Sequence, residues 1–201
     1  MMGGWTTAGG WRRWRWVALT LALLASAPAL AGDEQVQVPI PLQASLLAKV
    51  AIYDQNFAAR SGDTVNVLVV YKKGDGKSQR LAQQMRDALH ELKIAADRPQ
   101  KVEVEALLSP AMLASRCRDG RVAIVYLAPG FSATEVHEIA AALAGNDVLS
   151  ASAVAADVAE GVVLGFEQIS GKPKIVVNLK QAKSQNVLLS SSLLALAKVY
   201  R

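Results

Sequence analysis

Short apolar runs alternate with longer amphipathic segments through the middle of the chain, and this alternation constrains the fold more than any other feature. The apolar runs predict strands at residues 64–71, 101–106, 121–127 and 147–151. The segments between them predict helices at residues 78–92, from residue 109 onward, and at 132–143. A strand-helix-strand succession favours a parallel sheet that is covered by helices on both faces.

The pattern changes towards the end of the chain. Residues 161–169 and 174–179 predict two strands, and the few residues that connect them are enough only for an antiparallel pair. The strand at 101–106 alternates Val with Glu, which is typical of a strand near a sheet edge with one wet face. The sequence therefore predicts a single three-layer α/β domain, with a mostly parallel sheet flanked by helices and a C-terminal antiparallel hairpin.

Helices are also predicted at both ends of this domain, at residues 42–59 and 188–200, with a short helix at 152–158. The apolar residues at helical spacing in the first helix, predicted to face the core, are Leu42, Leu46, Val50, Tyr53 and Phe57. Those of the last helix are Leu189, Leu193, Leu196, Ala197 and Tyr200. Ser109, followed by a proline, and Ser132, followed three residues later by Glu135, have the spacing of helix N-terminal caps.

The first 31 residues have the layout of a secretory signal. Arg12, Arg13 and Arg15 precede an apolar run at residues 17–24, and small residues up to Ala31 offer a cleavage site. The run is short for a membrane anchor, which needs about 20 apolar residues. We therefore predict a signal peptide at 1–31, cleavage after Ala31, a mature domain at 32–201 in the periplasm, and no stable membrane span after cleavage. Export by the general or the twin-arginine route is left open.

Removal of the leader lowers the net charge of the chain and leaves its single cysteine in the mature domain. The chain has 22 Lys+Arg and 17 Asp+Glu, and the leader holds three of the basic residues, so the mature part carries 19 − 17 = +2. This small excess argues against nucleic acid as a partner. Cys117 is the only cysteine, so no intramolecular disulfide forms. We interpret it as a packing residue, and an intermolecular bridge within a homodimer is the alternative.

Two loops that follow predicted strands suggest a ligand crevice at the carboxyl ends of the parallel strands. Gly76, Lys77 and Ser78 begin a helix. A phosphate-binding loop also needs a glycine five residues before Gly76, but that position is Tyr71, so we interpret the segment as a surface turn with a helix cap. The helix terminus with its three lysines could still attract an anion. The possible ligand crevice comprises Lys72, Lys73, Lys77, Ser78, Gly130 and Ser132.

The sequence contains no constellation that specifies a catalyst. Residues 130–134 approach a nucleophile elbow, but Thr134 stands where its second glycine belongs, and Ser132 is already suited to cap a helix. The two histidines, His90 and His137, lie on different predicted helices and are interpreted as solvated. With one cysteine beside them they form no metal-ligand cluster. We therefore predict no catalytic residue, no metal and no cofactor.

Two parts of the chain resemble the YfiR-like family, which carries a DUF4154-type domain. One is residues 46–58, where an apolar stretch is followed by Tyr53, Asn56 and Phe57 in an aromatic-x-x-Asn-Phe pattern. The other joins the glycine-bearing strand at 161–166, the strand at 175–179 and the segment at 188–197. The family-like structural positions are Asn56, Phe57, Cys117, Gly161 and Asn178.

The resemblance implies a periplasmic α/β protein with a regulatory role in cyclic di-GMP signalling. The namesake restrains a membrane-bound diguanylate cyclase by binding its periplasmic portion, and an outer-membrane lipoprotein relieves that restraint. The chain departs from the family pattern at residues 60–63, where Arg-Ser-Gly-Asp replaces the usual Trp-Pro, and it lacks a disulfide partner for Cys117.

Three hypotheses for function follow, in descending order. The first is a periplasmic regulator that sequesters an inner-membrane signalling protein by binding one of its states. The second is a periplasmic receptor for a small ligand in the crevice at the strand ends. The third is a hydrolase, which requires His137 or His90 to reach Ser132. Asn56 and Asn178 are interpreted as satisfied amides that stabilise a turn or strand end.

Overall fold

The structure, a computed structural model, describes residues 36–201, so the predicted signal peptide at 1–31 lies outside the described residues. The strands are β1 (Val65–Lys72), β2 (Ile94–Ala95), β3 (Arg98–Leu107), β4 (Val122–Leu127), β5 (Leu149–Ser152), β6 (Leu164–Ile169), β7 (Lys172–Asn178) and β8 (Lys198–Tyr200). The α-helices are α1 (Ile40–Val50), α2 (Phe57–Ser61), α3 (Gly76–Leu92), α4 (Pro110–Asp119), α5 (Ala133–Leu143), α6 (Leu179–Ser184) and α7 (Ser191–Leu196), and short 3₁₀ turns lie at Ala51–Tyr53 and Ala155–Val158.

The strands form one sheet in the order β2-β3-β1-β4-β5-β6-β7-β8. Strands β3, β1, β4, β5 and β6 pair in parallel, each with its neighbour, whereas β6 and β7 form an antiparallel hairpin. Strand β2 pairs antiparallel with β3 at one edge, and β8 pairs parallel with β7 at the other. The predicted α/β fold with a C-terminal hairpin is confirmed, as is the position of β3 near an edge.

Alternate side chains of the central strands face two separate cores. In β1, Val65, Val67 and Val69 pack in a core that also contains residues of α1 and α3. Leu68 and Val70 point to the other face, where α4 and α5 supply the apolar residues. Because both faces are covered, the strand is apolar along nearly its whole length, and three layers result.

The prediction of one continuous first helix at 42–59 is wrong. Helix α1 ends at Val50, and a new helix, α2, begins at Phe57. Asp54 lies between them in an extended conformation, where its Oδ1 accepts hydrogen bonds from the backbone N–H groups of Asn56 (3.1 Å) and Leu188 (2.9 Å). One local bond and one tertiary bond therefore hold Asp54 outside a helix. The predicted face is also partly wrong, because Leu42 and Tyr53 are exposed while the α1 residues Gln43, Ala44 and Leu47 are buried.

The prediction of a final helix at 188–200 is also wrong. Ser190 caps α7 by accepting a hydrogen bond from the N–H of Leu193, so this helix begins at residue 191. It ends at Leu196, which is exposed, and the chain continues as β8 along the open edge of β7. This pairing satisfies backbone groups of β7 that a helix would leave unpaired. Helix α6, which lies between β7 and α7, has no counterpart in the prediction.

Other boundaries differ by a few residues. The predicted strand at 161–169 begins only at Leu164, and the predicted helix at 152–158 is the 3₁₀ turn Ala155–Val158. The caps at Ser109 and Ser132 are confirmed, and Ser132 forms a complete capping box with Glu135. In residues 36–201 no helix combines the length and the apolar character that crossing a bilayer demands.

Candidate functional site

The predicted crevice lies at the carboxyl ends of β1 and β4. Strands β3 and β4 pair on opposite sides of β1, so the connections that leave β1 and β4 diverge and open a gap between them. A cavity of about 230 Å³ occupies this end of the sheet. We call it the carboxyl-end crevice, and its lining residues are Lys72, Lys73, residues 107–110, Phe131, Glu135 and Glu138. Of the six predicted crevice residues, two line it directly.

The N-terminus of α3 is satisfied by its own cap. Asp75 Oδ1 accepts hydrogen bonds from the backbone N–H groups of Lys77 (2.8 Å) and Ser78 (3.0 Å). Ser78 Oγ in turn accepts from the backbone N–H of Lys72 at 3.0 Å. A carboxylate therefore already occupies the place where a helix N-terminus attracts an anion. Gly130 packs against this cap with a φ of +116°, and a Cβ there would lie 2.6 Å from Asp75 Oδ2.

The second wall of the crevice is held by Glu135. Its Oε2 accepts hydrogen bonds from Ser132 N–H (2.7 Å), Ser132 Oγ (2.9 Å) and Lys72 Nζ (2.8 Å). The hydrogen bond from Lys72, followed by the one from the Ser132 backbone, lowers the pKa of Glu135 below its ordinary value. The charge of Lys72 is therefore neutralised within the protein. Within the described chain His90 and His137 are exposed on α3 and α5, and neither hydrogen-bonds to Ser132.

Two of the family-like positions fix the chain where strands end. Asn178 closes β7, and its Oδ1 caps α6 by accepting from Gln181 N–H (3.0 Å) while its Nδ2 donates to the Val158 carbonyl (2.9 Å). Gly161 has a φ of +115°, and a Cβ there would lie 2.8 Å from Ala140 Cβ on α5. Both residues therefore act through local packing and hydrogen bonding rather than by facing a cavity.

Cys117 is buried on α4 as a free thiol. Desolvation raises the pKa of Cys117 to about 12, and the nearby positive charges of Arg116 and Arg118 only partly oppose that rise. The thiol is therefore protonated at neutral pH, and it reacts slowly there. Among residues 36–201 no group of three or more His, Cys, Asp or Glu side chains is placed to hold a metal ion.

Sequence analysis did not find the buried ion network, which joins Asp54, Asn56, Arg60, Asp147 and Asn186. Arg60 donates from Nη1 to Asp54 Oδ2 (2.5 Å), from Nε to Asp147 Oδ1 (2.7 Å) and from Nη2 to the Asn186 carbonyl (2.9 Å). The side chains of Arg60 and Asp54 are 2% and 0% exposed. Asn56 Nδ2 donates to the same Asn186 carbonyl at 2.9 Å. The one available signal was an Arg where the family pattern has Trp-Pro.

Exposed apolar side chains lie beside this network. Ile52, Tyr53 and Leu188 are 53%, 42% and 51% exposed, although they are large and hydrophobic. Two backbone hydrogen bonds join their segments, from Gln55 N–H to the Leu188 carbonyl and from Ser190 N–H to the Tyr53 carbonyl, both 2.9 Å long. We call Ile52, Tyr53 and Leu188 the apolar surface. It lies at the end of the sheet opposite to the carboxyl-end crevice, because the network beside it contacts Asp147, which precedes β5.

The fold and the site define an open α/β-sheet domain whose crevice residues pair with one another. The chain belongs to the DUF4154 family, described as YfiR/HmsC-like, whose model matches residues 41–198. No curated protein matches the chain significantly.

Solved structures share the fold at low sequence identity. One is an ABC domain from Streptococcus pneumonia, solved in complex with L-Trp, with 13% identity, a TM-score of 0.55, and coverage of 78% of this chain and 62% of that one. Another is a conserved domain protein from Vibrio cholerae, with 13% identity, a TM-score of 0.52, and coverage of 81% and 60%. The chain thus spans about three fifths of the length of these structures. At this identity the likeness concerns the fold alone.

Proposed function

We propose that the protein is a periplasmic regulator that binds a membrane signalling protein and holds it in one state. Membership of the YfiR/HmsC-like family supports this role, and the secretory layout of residues 1–31 supports the compartment. The partner that the family suggests is a diguanylate cyclase of the inner membrane. Sequestration works by differential affinity: a regulator that binds the inactive state more tightly increases that state's population.

The apolar surface is the observation that carries this proposal. A protein exposes neighbouring large apolar side chains at a cost, and such a patch is typical of a surface that is covered by a partner. The hydrogen bonds between the segments of Tyr53 and Leu188 hold it in shape. The buried ion network behind it fixes the same segments, because Asp54 accepts from Leu188 N–H. A pre-organised surface loses little conformational entropy when a partner docks.

The charges of the carboxyl-end crevice favour this regulatory role over the two alternatives. Glu135 neutralises Lys72, and Asp75 caps α3, so the crevice offers an incoming anion less than the sequence suggested. Ser132 Oγ donates to Glu135, but this carboxylate also accepts from Lys72 and its pKa is lowered, which makes it a weak general base; we therefore propose that the protein is not an enzyme. The small-ligand receptor at this crevice stays a prediction that no specific observation favours.

A matched pair of leucine variants tests the proposal. Leu188 on the apolar surface and Leu108 at the carboxyl-end crevice are 51% and 60% exposed, at opposite ends of the sheet. Burial of the remaining exposed part of a leucine contributes about 1 kcal/mol, so Leu188→Ser is expected to weaken partner binding by about fivefold. Leu108→Ser is expected to leave it unchanged.

The measurement is cross-linking of the mature protein in the cell envelope, followed by identification of the captured membrane protein and by assay of cyclic di-GMP. Loss of the regulator, or Leu188→Ser, is expected to raise cyclic di-GMP. Equal capture of the cyclase by both variants would contradict docking at the apolar surface. Capture of a second copy alone, at the mass of a homodimer, would instead assign the surface to self-association.

A further inference from the structure

A cavity lies at the amino ends of the strands, away from the carboxyl-end crevice. Its volume is about 470 Å³, within the range of small-molecule sites. It opens where α2 leads into β1, where α4 leads into β4 and where Asp147 precedes β5. We call it the amino-end cavity, and the lining residues that matter here are Arg60, Cys117, Arg118, Arg121, Asn146 and Asp147.

Positive charge predominates in the lining. Three guanidinium groups face one carboxylate, that of Asp147, and Arg60 already binds this carboxylate at 2.7 Å. Arg60 is also paired with Asp54, so its charge is compensated. Arg118 and Arg121 make no ion pair within the part of the chain that the structure describes. Arg118 and Arg121 are therefore not ion-paired, and the three guanidinium groups with the carboxylates of Asp54 and Asp147 give 3 − 2 = +1 around the cavity.

Arg118 is held in place without being neutralised. Its Nη1 donates to Asn146 Oδ1 at 3.0 Å, and Asn146 is a neutral amide. Asn146 is itself buried and fixed, because its Nδ2 donates to the Ala142 carbonyl at 2.9 Å. Arg118 thus keeps donors and a full charge for another group, and its position at the end of α4 is set by a buried side chain.

The backbone at Arg121 has a strained conformation. Arg121 has a φ of +47°, in the left-handed region that favours glycine. Gly120, immediately before it, has an ordinary φ of −92°. Gly120 is needed where it stands, because a Cβ there would lie 2.9 Å from the Arg116 carbonyl oxygen. The left-handed position therefore falls on Arg121, and this turn from α4 into β4 sets Arg121 in the lining of the amino-end cavity.

We propose that the amino-end cavity binds a small organic anion, whose carboxylate or phosphate oxygens are held by Arg118 and Arg121. A guanidinium group matches both kinds of oxyanion, since its parallel N–H donors bind two oxygens at once. This site uses neither the apolar surface nor the carboxyl-end crevice. It is therefore a ligand site in addition to the protein-docking role, and its test does not depend on a partner protein.

Isothermal titration of the mature protein with two probes tests the site and separates the two chemistries. Citrate represents carboxylates, and phenyl phosphate represents phosphate esters. At least one probe is expected to bind, more weakly at high salt, and Arg118→Gln or Arg121→Gly is expected to weaken that binding about tenfold. Arg80→Gln, which removes the same charge from the exposed face of α3, is expected to have no effect. Absence of binding of both probes at about 10 mM overturns the proposal.

Two further readouts keep folding apart from binding. Because glycine suits a φ of +47°, Arg121→Gly is expected to melt no lower than the parent protein while it loses affinity. Cys117 lines the same cavity and is the single cysteine, so a bound probe is expected to slow its alkylation. Unchanged affinity in both arginine variants, or binding that leaves the alkylation rate of Cys117 unaltered, contradicts the site.

Discussion

The buried ion pair between Asp54 and Arg60 is expected to dominate the stability of the domain. We consider Asp54→Asn, which keeps an oxygen for the N–H groups of Asn56 and Leu188 but removes the charge. Both partners are almost fully buried, at 0% and 2% side-chain exposure, so the variant leaves the Arg60 guanidinium with only Asp147 as a counter-ion. Breaking a buried pair in this way costs about 3–5 kcal/mol.

That loss is a large part of the total free energy of unfolding, which is about 5–15 kcal/mol for a typical protein domain. For a domain of this size it corresponds to a fall in Tm of roughly 6–20 °C. Urea unfolding followed by circular dichroism gives the free energy of unfolding, and a thermal melt gives Tm. The double variant with Arg60→Met is expected to lose less than the sum of the single variants, because it removes both charges together.

An exposed pair of the same length is the control. Arg86 and Asp87 are 2.6 Å apart, against 2.5 Å for the buried pair, but their side chains are 44% and 61% exposed. Asp87→Asn is therefore expected to cost less than about 1 kcal/mol. If Asp54→Asn and Asp87→Asn change the free energy of unfolding by similar amounts, burial does not govern the energetics here and the reasoning is refuted.

Three further predictions concern packing, a buried hydrogen bond and the thiol. Gly161→Ala is expected to lower the free energy of unfolding in urea by about 2 kcal/mol more than Gly171→Ala does. Both glycines have a positive φ, but only the Cβ added at Gly161 meets α5, and equal losses would contradict this. Tyr126→Phe is expected to cost about 1–3 kcal/mol, since Gln43 Oε1 loses the O–H that donates to it at 2.7 Å, and a neutral effect would count against that bond. The raised pKa of Cys117, about 12, predicts that the alkylation rate of the folded protein keeps rising with pH well beyond 9. The protonated thiol stabilises the fold below pH 9, and this contribution is lost as the pH rises from about 9 towards 12. A plateau of the native alkylation rate near pH 9 would refute the shift.

The central sheet could be predicted because its signal is local. Strands β1 and β4 are short apolar runs between helices, and burial on both faces requires that composition. The capping box of Ser132 and Glu135 was also readable, since its partners are three residues apart. What was missed depends on distant partners: α1 ends early because Asp54 bonds to Leu188, which spacing along a helix does not encode.

The same reason explains what the sequence did not show at the crevice and at the C-terminus. The crevice lysines were predicted only to be able to attract an anion, which stays a prediction, and the bond from Lys72 to Glu135, 63 positions away in sequence, could not be foreseen. The apolar stripe at 188–200 matched helical spacing, yet the open edge of β7 offered backbone partners, and Val199 and Tyr200 suit a strand. Arg118 and Arg121 carried no motif, and they attract attention only once the cavity and the backbone angle at Arg121 are known.

The bond from Leu188 to Asp54 joins positions 134 apart, which has a consequence for the order of folding. Closing so long a loop is entropically slow, so the central β-α units are expected to condense first. Until the segment around Leu188 packs against them, the Asp54 carboxylate and the Arg60 guanidinium, which are buried in the folded protein, remain hydrated. The apolar surface, at which we propose that the partner docks, is therefore expected to assemble last, so a nascent or partly refolded chain has its sheet before it has this surface.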